Sequence, residues 1–109
     1  MRAAGRPSAE AIWTWLAAPE HRALLILWLE GYARALVERD GAWAGFATRT
    51  VGDWLEVLAD VEPGDGIDHT LLLAVLRGCL LDLLATGDVE RTGAAVQRYL
   101  RLIQDGRPG

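Results

Sequence analysis

Lysine and asparagine are absent from this chain, and cysteine and serine each occur once. The single cysteine, Cys79, excludes a disulfide within the chain and fits a reducing compartment. Without lysine, all eleven cations are arginines, and fifteen Asp and Glu residues bring the net charge to −4. Most arginines have an acidic neighbour, so the clustered cations that phosphate binding needs are missing. We therefore expect no direct nucleic-acid binding by this chain.

Residue types that carry enzyme chemistry are equally scarce. Ser8, the only serine, stands at a predicted helix start, and Cys79 lies among leucines, where a thiol is usually inert. His21 and His69 are far apart in the sequence, and neither has a His or Cys at metal-ligand spacing. The sequence therefore predicts no catalytic residue, no metal site and no cofactor, and we do not expect an enzyme.

Apolar residues make up 51% of the 109 residues, which is the upper end of ordinary usage. A chain of this length forms at most one domain and buries roughly two thirds of its unfolded surface. The surplus apolar surface suits a partner subunit or a small-molecule cavity. The start, "MRAAGRPSAE", lacks the apolar core of a secretory signal, so a cytoplasmic protein is expected.

Apolar spacings of three and four residues, without strand alternation, predict an all-α bundle of five helices. The predicted helices cover 8–18, 19–40, 42–60, 70–86 and 88–104. Ser8, Asp68 and Asp88 are the expected N-caps, while Gly41 and Gly87 are the expected ends. Residues 1–7 are predicted to be a flexible lead, 8–105 the domain, and 106–109 a tail.

The fourth predicted helix is almost solid leucine, in the segment "TLLLAVLRGCLLDLLATGD" at 70–88. A membrane span is not expected, because the stretch has only about 17 residues where roughly 20 are needed. Arg77 and Asp82 within it would also oppose insertion.

On a helical wheel the leucines resolve into two surfaces. One arc carries Leu72, Leu73, Leu76, Leu80, Leu83 and Leu84. The opposite side carries Ala74, Gly78, Leu81 and Ala85, which are small apart from the leucine. Either the helix is central in its own domain, or the small-residue side contacts a second subunit, as in a twofold dimer.

Three segments together resemble a known family. They are "WTWLAAPEHRALLILWLEGYARAL" (13–36), "WAGFATRTVGDWLEVLA" (43–59) and the leucine-rich segment with its "DLLATGD" exit. Their hydrophobic pattern resembles the C-terminal regulatory domain of TetR-type bacterial transcriptional repressors, over roughly residues 8–104. The family's N-terminal helix-turn-helix has no counterpart in this sequence, so its DNA binding is not carried over.

The resemblance implies an all-α domain that encloses a mostly apolar effector pocket. It also implies a dimer formed by the last two helices, about 68–86 and 88–104. The residues that the resemblance places near the effector are Trp13, Trp28, Tyr32, Phe46, Trp54 and Arg77. Those expected at the dimer interface are Ala74, Gly78, Leu81 and Ala85 with Val96 and Tyr99.

The resulting hypothesis is a small-molecule-sensing and dimerisation domain of a TetR-like regulator. The expected partners are a second copy of the chain and a small apolar or aromatic effector. The alternative is a ligand-free interaction protein that forms heterodimers with a full-length regulator.

Overall fold

The computed structural model describes residues 8–106, and within them it contains five α-helices and no strand. These are α1 (Ala9–Ala17), α2 (Arg22–Val37), α3 (Phe46–Val61), α4 (Gly66–Thr86) and α5 (Val89–Asp105). A single 3₁₀ turn, Pro19–His21, joins α1 to α2. The predicted all-α class with five helices is confirmed. The predicted lead at 1–7 and residues 107–109 of the tail lie outside the described residues.

Several helix ends follow directly from capping residues. The Ser8 hydroxyl accepts a hydrogen bond from the backbone N–H of Ala11, and the Asp88 carboxylate accepts one from the N–H of Arg91. Gly87 ends α4 in the left-handed conformation (φ 72°), which glycine adopts without steric cost. These three predicted ends are confirmed.

The junction between α2 and α3 differs from the prediction. The second helix ends at Val37 instead of reaching residue 40, and the third begins at Phe46 instead of residue 42. Residues 38–45 form consecutive turns, and Gly45 adopts a φ of 82°. Two glycines in five residues interrupt the helical hydrogen bonds here, although the apolar spacing of Trp43 and Phe46 is compatible with a helix.

The start of α4 also differs, because Asp65 rather than Asp68 is its N-cap. The Asp65 carboxylate accepts hydrogen bonds from the backbone N–H groups of Ile67 and Asp68, each at 3.0 Å. The Asp68 carboxylate accepts one from the Asp65 N–H at 3.0 Å. This reciprocal arrangement is a capping box, and it starts the helix four residues earlier than predicted.

The helix is therefore 21 residues long, and by length and composition it could cross a membrane. The length argument against a span was wrong. Core helices of soluble proteins have the same length and composition, and six α4 side chains are buried by the rest of the domain. Arg77 and Asp82 still oppose insertion.

The leucines of α4 form the centre of the core, packed against α1, α3 and α5. Leu72, Leu73, Leu76, Leu80 and Leu83 are buried, and Leu84 is half-buried, as the helical wheel predicts. Core residues from the other helices include Trp13, Leu16, Leu58, Val96 and Leu100. α4 is thus the central helix of the domain.

The opposite side of α4 is exposed. Ala74, Gly78, Leu81 and Ala85, which we call the outer face of α4, are not covered by any described residue. Leu81 is 53% exposed. The two interpretations of this helix are therefore compatible, because α4 is central on one side and uncovered on the other.

Candidate functional site

Four aromatic rings line an open groove between α1, α2 and α3. The groove has a volume of about 400 Å³, within the range of small-molecule sites. We call it the aromatic groove; its lining residues are Ile12, Trp15, Trp28, Phe46, Thr50, Asp53, Trp54 and Val57. The lining is mostly apolar, with one hydroxyl and one carboxylate.

The third helix supplies more than half of this lining because its apolar residues recur at helical spacing. Phe46, Thr50, Trp54 and Val57 follow one another at intervals of three or four, so they share one side of α3. Asp53 lies beside this stripe, next to Trp54. The register of the helix therefore places a carboxylate at the edge of an apolar surface.

Trp15 and Phe46, two rings of the groove lining, each pair with a ring outside the lining. The Trp15 indole stacks on the His21 imidazole with ring centroids 3.9 Å apart, and His21 Nδ1 donates to the Trp15 carbonyl oxygen at 2.7 Å. Trp43 packs edge-on against Phe46 at 5.3 Å. The second pair packs closely on α2, because a Cβ added at Gly31 would lie 2.8 Å from the Trp43 ring and 3.2 Å from the Phe46 ring.

The floor of the groove continues into the core. Ile12 and Trp54 line the groove and also pack against the cluster of buried residues around α4. α3 contacts α4 directly. A molecule that fills the groove would therefore contact Ile12 and Trp54, which also pack against the buried core.

The only charged side chain among the lining residues is acidic. The Asp53 carboxylate forms no hydrogen bond and no ion pair with any other residue between 8 and 106. Arg49, one turn earlier on α3, is exposed and does not line the groove. The electrostatic character of the groove is therefore that of one unpaired carboxylate beside aromatic rings.

Three of the six residues predicted near the effector line this groove, namely Trp28, Phe46 and Trp54. Trp13 does not, because it is 5% exposed and its Nε1 lies near Gly93 of α5. Tyr32 and Arg77 are outside the lining, and Arg77 donates to the Tyr32 hydroxyl at 3.4 Å. Trp13 is therefore a core residue, and Arg77 contacts the second helix instead of the groove.

Sequence reasoning missed Ile12, Trp15, Thr50, Asp53 and Val57. Thr50 and Val57 lie on the apolar stripe of α3, so the helical period could have found them. Trp15 is two residues from Trp13, which places the two indoles on different sides of α1. Asp53 gave no signal in the sequence, because an exposed carboxylate on a helix is ordinary.

The residues predicted at the dimer interface fall into two groups. Ala74, Gly78, Leu81 and Ala85 are exposed, whereas Val96 is completely buried and Tyr99 is half-buried. Val96 is therefore corrected to a core residue, unavailable to a second subunit. Tyr99 packs against the core, and burial followed by the charge of Asp68 raises the pKa of its hydroxyl.

The exposed side of α5 next to α4 carries other apolar residues. Arg91 donates to both carboxylate oxygens of Asp82 at 2.8 and 2.6 Å, which joins the exposed edge of α5 to that of α4. Ala95 and Leu102 follow Arg91 at helical spacing on that side, and both are exposed. Both α4 and α5 thus carry exposed apolar residues.

The remaining reactive groups, His69 and Cys79, are buried and half-buried. His69 is 8% exposed and its Nε2 donates to the Glu62 carbonyl oxygen at 2.8 Å. Burial and then the Asp82 charge raise the pKa of the half-buried Cys79 thiol, so it stays protonated near neutrality. Within residues 8–106, no group of three or more His, Cys, Asp or Glu side chains is placed to hold a metal ion.

A second concavity of about 560 Å³ lies where the loop before α4 meets the end of α5. Its polar lining includes His69, which is bonded to Glu62, and Asp68, which belongs to the capping box. Because these groups already serve local structure, the aromatic groove is the better candidate for ligand binding.

Comparison with known proteins adds no family: no family model matches the chain, and neither a curated protein nor a solved structure matches it significantly.

Proposed function

We propose that this chain is the small-molecule-sensing and dimerisation domain of a TetR-like bacterial transcriptional regulator, acting in the cytoplasm. The observation that carries the proposal is the aromatic groove, an open site lined by Trp15, Trp28, Phe46 and Trp54. The all-α fold with a central leucine-rich helix is compatible with the resemblance in the sequence. The ligand would be a small, mainly apolar or aromatic molecule.

Sensing requires that the ligand change something beyond its own site. Ile12 and Trp54 connect the groove to the core around α4, whose outer face is uncovered. A ligand that binds one arrangement of α3 against α4 better than another shifts the population toward it. If the outer face of α4 contacts a second subunit, that shift alters how the two subunits are placed.

The uncovered apolar surface supports the dimerisation part of the proposal. Thirteen large apolar side chains of the described residues are at least 36% exposed, including Leu71 and Leu81 on α4 and Leu102 on α5. Where exposed apolar side chains are contiguous, such surface marks interaction sites. A second copy of the chain is the proposed partner because self-association through one shared patch is the commonest assembly.

Tryptophan fluorescence tests the sensing function directly. Three of the five tryptophans line the groove, whereas Trp13 is in the core and Trp43 lies outside the lining. Titration with a panel of lipophilic and aromatic compounds should quench or shift the emission for at least one of them. Trp54→Phe should remove part of that response, because its indole touches the ligand.

Trp43→Phe is the matched control, since it removes an indole that does not line the groove but keeps an aromatic ring beside Phe46, and it should leave the response to ligand intact. Absence of any response from the folded protein across the whole panel would contradict sensing. In that case the ligand-free alternative, an interaction protein that pairs with a full-length regulator, would be favoured by the exposed face of α4.

A further inference from the structure

We infer that the ligand of the aromatic groove is a lipophilic cation, an aromatic or alkyl molecule that carries a positively charged nitrogen. This inference rests on the proposed sensing function and specifies its ligand class. The groove contains two features that attract such a molecule: a carboxylate and the faces of electron-rich rings.

The negative charge of the lining favours a ligand of positive charge. Asp53 is the single charged residue of the groove, and it has no hydrogen-bond or ion-pair partner among the described residues. A cation therefore gains an ion pair without displacing an arginine from the carboxylate. An anionic ligand would meet a like charge and no compensating cation in the lining.

Arg49, one turn before Asp53, is exposed, does not line the groove and forms no ion pair with any described residue, and other arginines are bonded away from the groove. Arg77 donates to the Tyr32 hydroxyl, and Arg22 donates to the Leu84 carbonyl oxygen at 3.2 Å. Arg34 and Arg91 form ion pairs with Glu38, Asp82 and Asp88. The cation that the sequence suggested for this site, Arg77, is thus not in the groove, and the charge found there has the opposite sign.

The aromatic rings add attraction for the same sign of charge. Indole and phenyl faces carry negative electrostatic potential, and indole binds cations most strongly among the natural side chains. Trp15, Trp28 and Trp54 all line the groove with Phe46. A quaternary ammonium group, which is weakly hydrated and cannot donate a hydrogen bond, suits such a lining because its methyl groups contact ring faces.

Three probes of one shape separate charge from hydrophobicity. They are naphthylmethyl-trimethylammonium, its neutral isostere with carbon in place of nitrogen, and a naphthyl carboxylate of similar size. Isothermal titration of each into the folded chain should rank the cation first, the neutral isostere second and the anion last. Raising the ionic strength should weaken binding of the cation alone, because only its binding includes an ion pair.

Asp53→Asn should lower the affinity of the cation about twofold to fivefold and leave that of the neutral isostere unchanged. Glu56→Gln is the matched control: it removes the same charge from an exposed position of α3 that does not line the groove. It should preserve the preference for the cation. Circular dichroism of both variants verifies that the helices are intact.

The outcomes separate this inference from the proposed function. Binding of the neutral isostere as tightly as the cation, or equal losses in Asp53→Asn and Glu56→Gln, would overturn the cationic ligand while sensing stands. If none of the three probes binds and the broad panel of neutral compounds gives no fluorescence response either, sensing and the cationic ligand fall together.

Discussion

Leucines of this chain contribute very differently to stability according to where they lie. Leu76 is completely buried at the centre of α4, whereas Leu36, near the end of α2, is 60% exposed. Truncation of a buried leucine removes apolar contacts and leaves a cavity that neighbouring side chains only partly fill. Truncation of an exposed leucine does neither.

We therefore expect Leu76→Ala to lower the free energy of unfolding by about 2–5 kcal/mol. Leu36→Ala should change it by less than about 0.5 kcal/mol, since surface substitutions usually fall within that range. Urea unfolding followed by circular dichroism measures both. Similar losses in the two variants would mean that α4 is not the centre of the core.

The candidate site could be predicted from the sequence only in part, for reasons that act on single residues. The period of α3 identifies Phe46 and Trp54, because one apolar stripe covers both. It does not decide between Trp13 and Trp15, since either could face the core until the packing of α1 against α5 is known. The period of α3 also does not predict the charge of the groove. That charge depends on the fold, which places Asp53 of α3 near aromatic rings of α1 and α2.

At the scale of a helix, interiors were predicted correctly and ends less well. The central leucines of α4 are buried as the spacing of its apolar residues predicts, because that spacing sets which side of the whole helix faces the core. Its first residue depends on which of two carboxylates, Asp65 or Asp68, caps it. Asp65 is the N-cap because Asp68, three residues later, completes the capping box with it.

This cap makes the stability of α4 depend on pH. The backbone N–H of Asp68 is the main cause that holds the pKa of the Asp65 carboxyl below its ordinary value. A carboxylate whose pKa is lower in the folded state stabilises that state above its unfolded pKa and loses this effect as the pH falls through the folded value. The contribution is therefore present at pH 7 and is lost below about pH 4.

Asp65→Asn keeps a side-chain oxygen at the cap but removes the titration. We expect the variant to lose less stability than the wild type between pH 7 and pH 3, as measured by urea unfolding. Asp60→Asn, at an exposed carboxylate that forms no hydrogen bond or ion pair within residues 8–106, should keep the wild-type dependence. If Asp65→Asn loses as much as the wild type, the capping box does not contribute to this acid sensitivity.

At the scale of the whole molecule, the fold explains its aromatic groove but leaves one side of its central helix uncovered. Gly78 lies in the middle of that outer face, and a Cβ added there would meet no heavy atom outside its own turn within 4 Å. Packing within the described chain therefore does not require glycine at this position. A glycine inside a helix nevertheless costs about 1 kcal/mol relative to alanine.

Gly52, in the middle of α3, is the matched comparison because a Cβ there also meets nothing within 4 Å. In an isolated subunit, Gly78→Ala and Gly52→Ala should each raise the free energy of unfolding by up to about 1 kcal/mol. In a dimer whose helices approach closely at the outer face of α4, the added methyl at residue 78 separates the two backbones. Gly78→Ala should then weaken association, and Gly52→Ala should not.

Sedimentation velocity over a range of protein concentrations measures this difference. Gly78→Glu should abolish the dimer altogether, because a second copy would bury an unpaired carboxylate at the contact, whereas Gly52→Glu should leave it intact. A wild-type chain that stays monomeric at all concentrations contradicts homodimerisation. A dimer that tolerates Gly78→Glu must use another surface, and the exposed apolar residues of α2, Leu24 and Leu27, would then be the place to introduce the next charge.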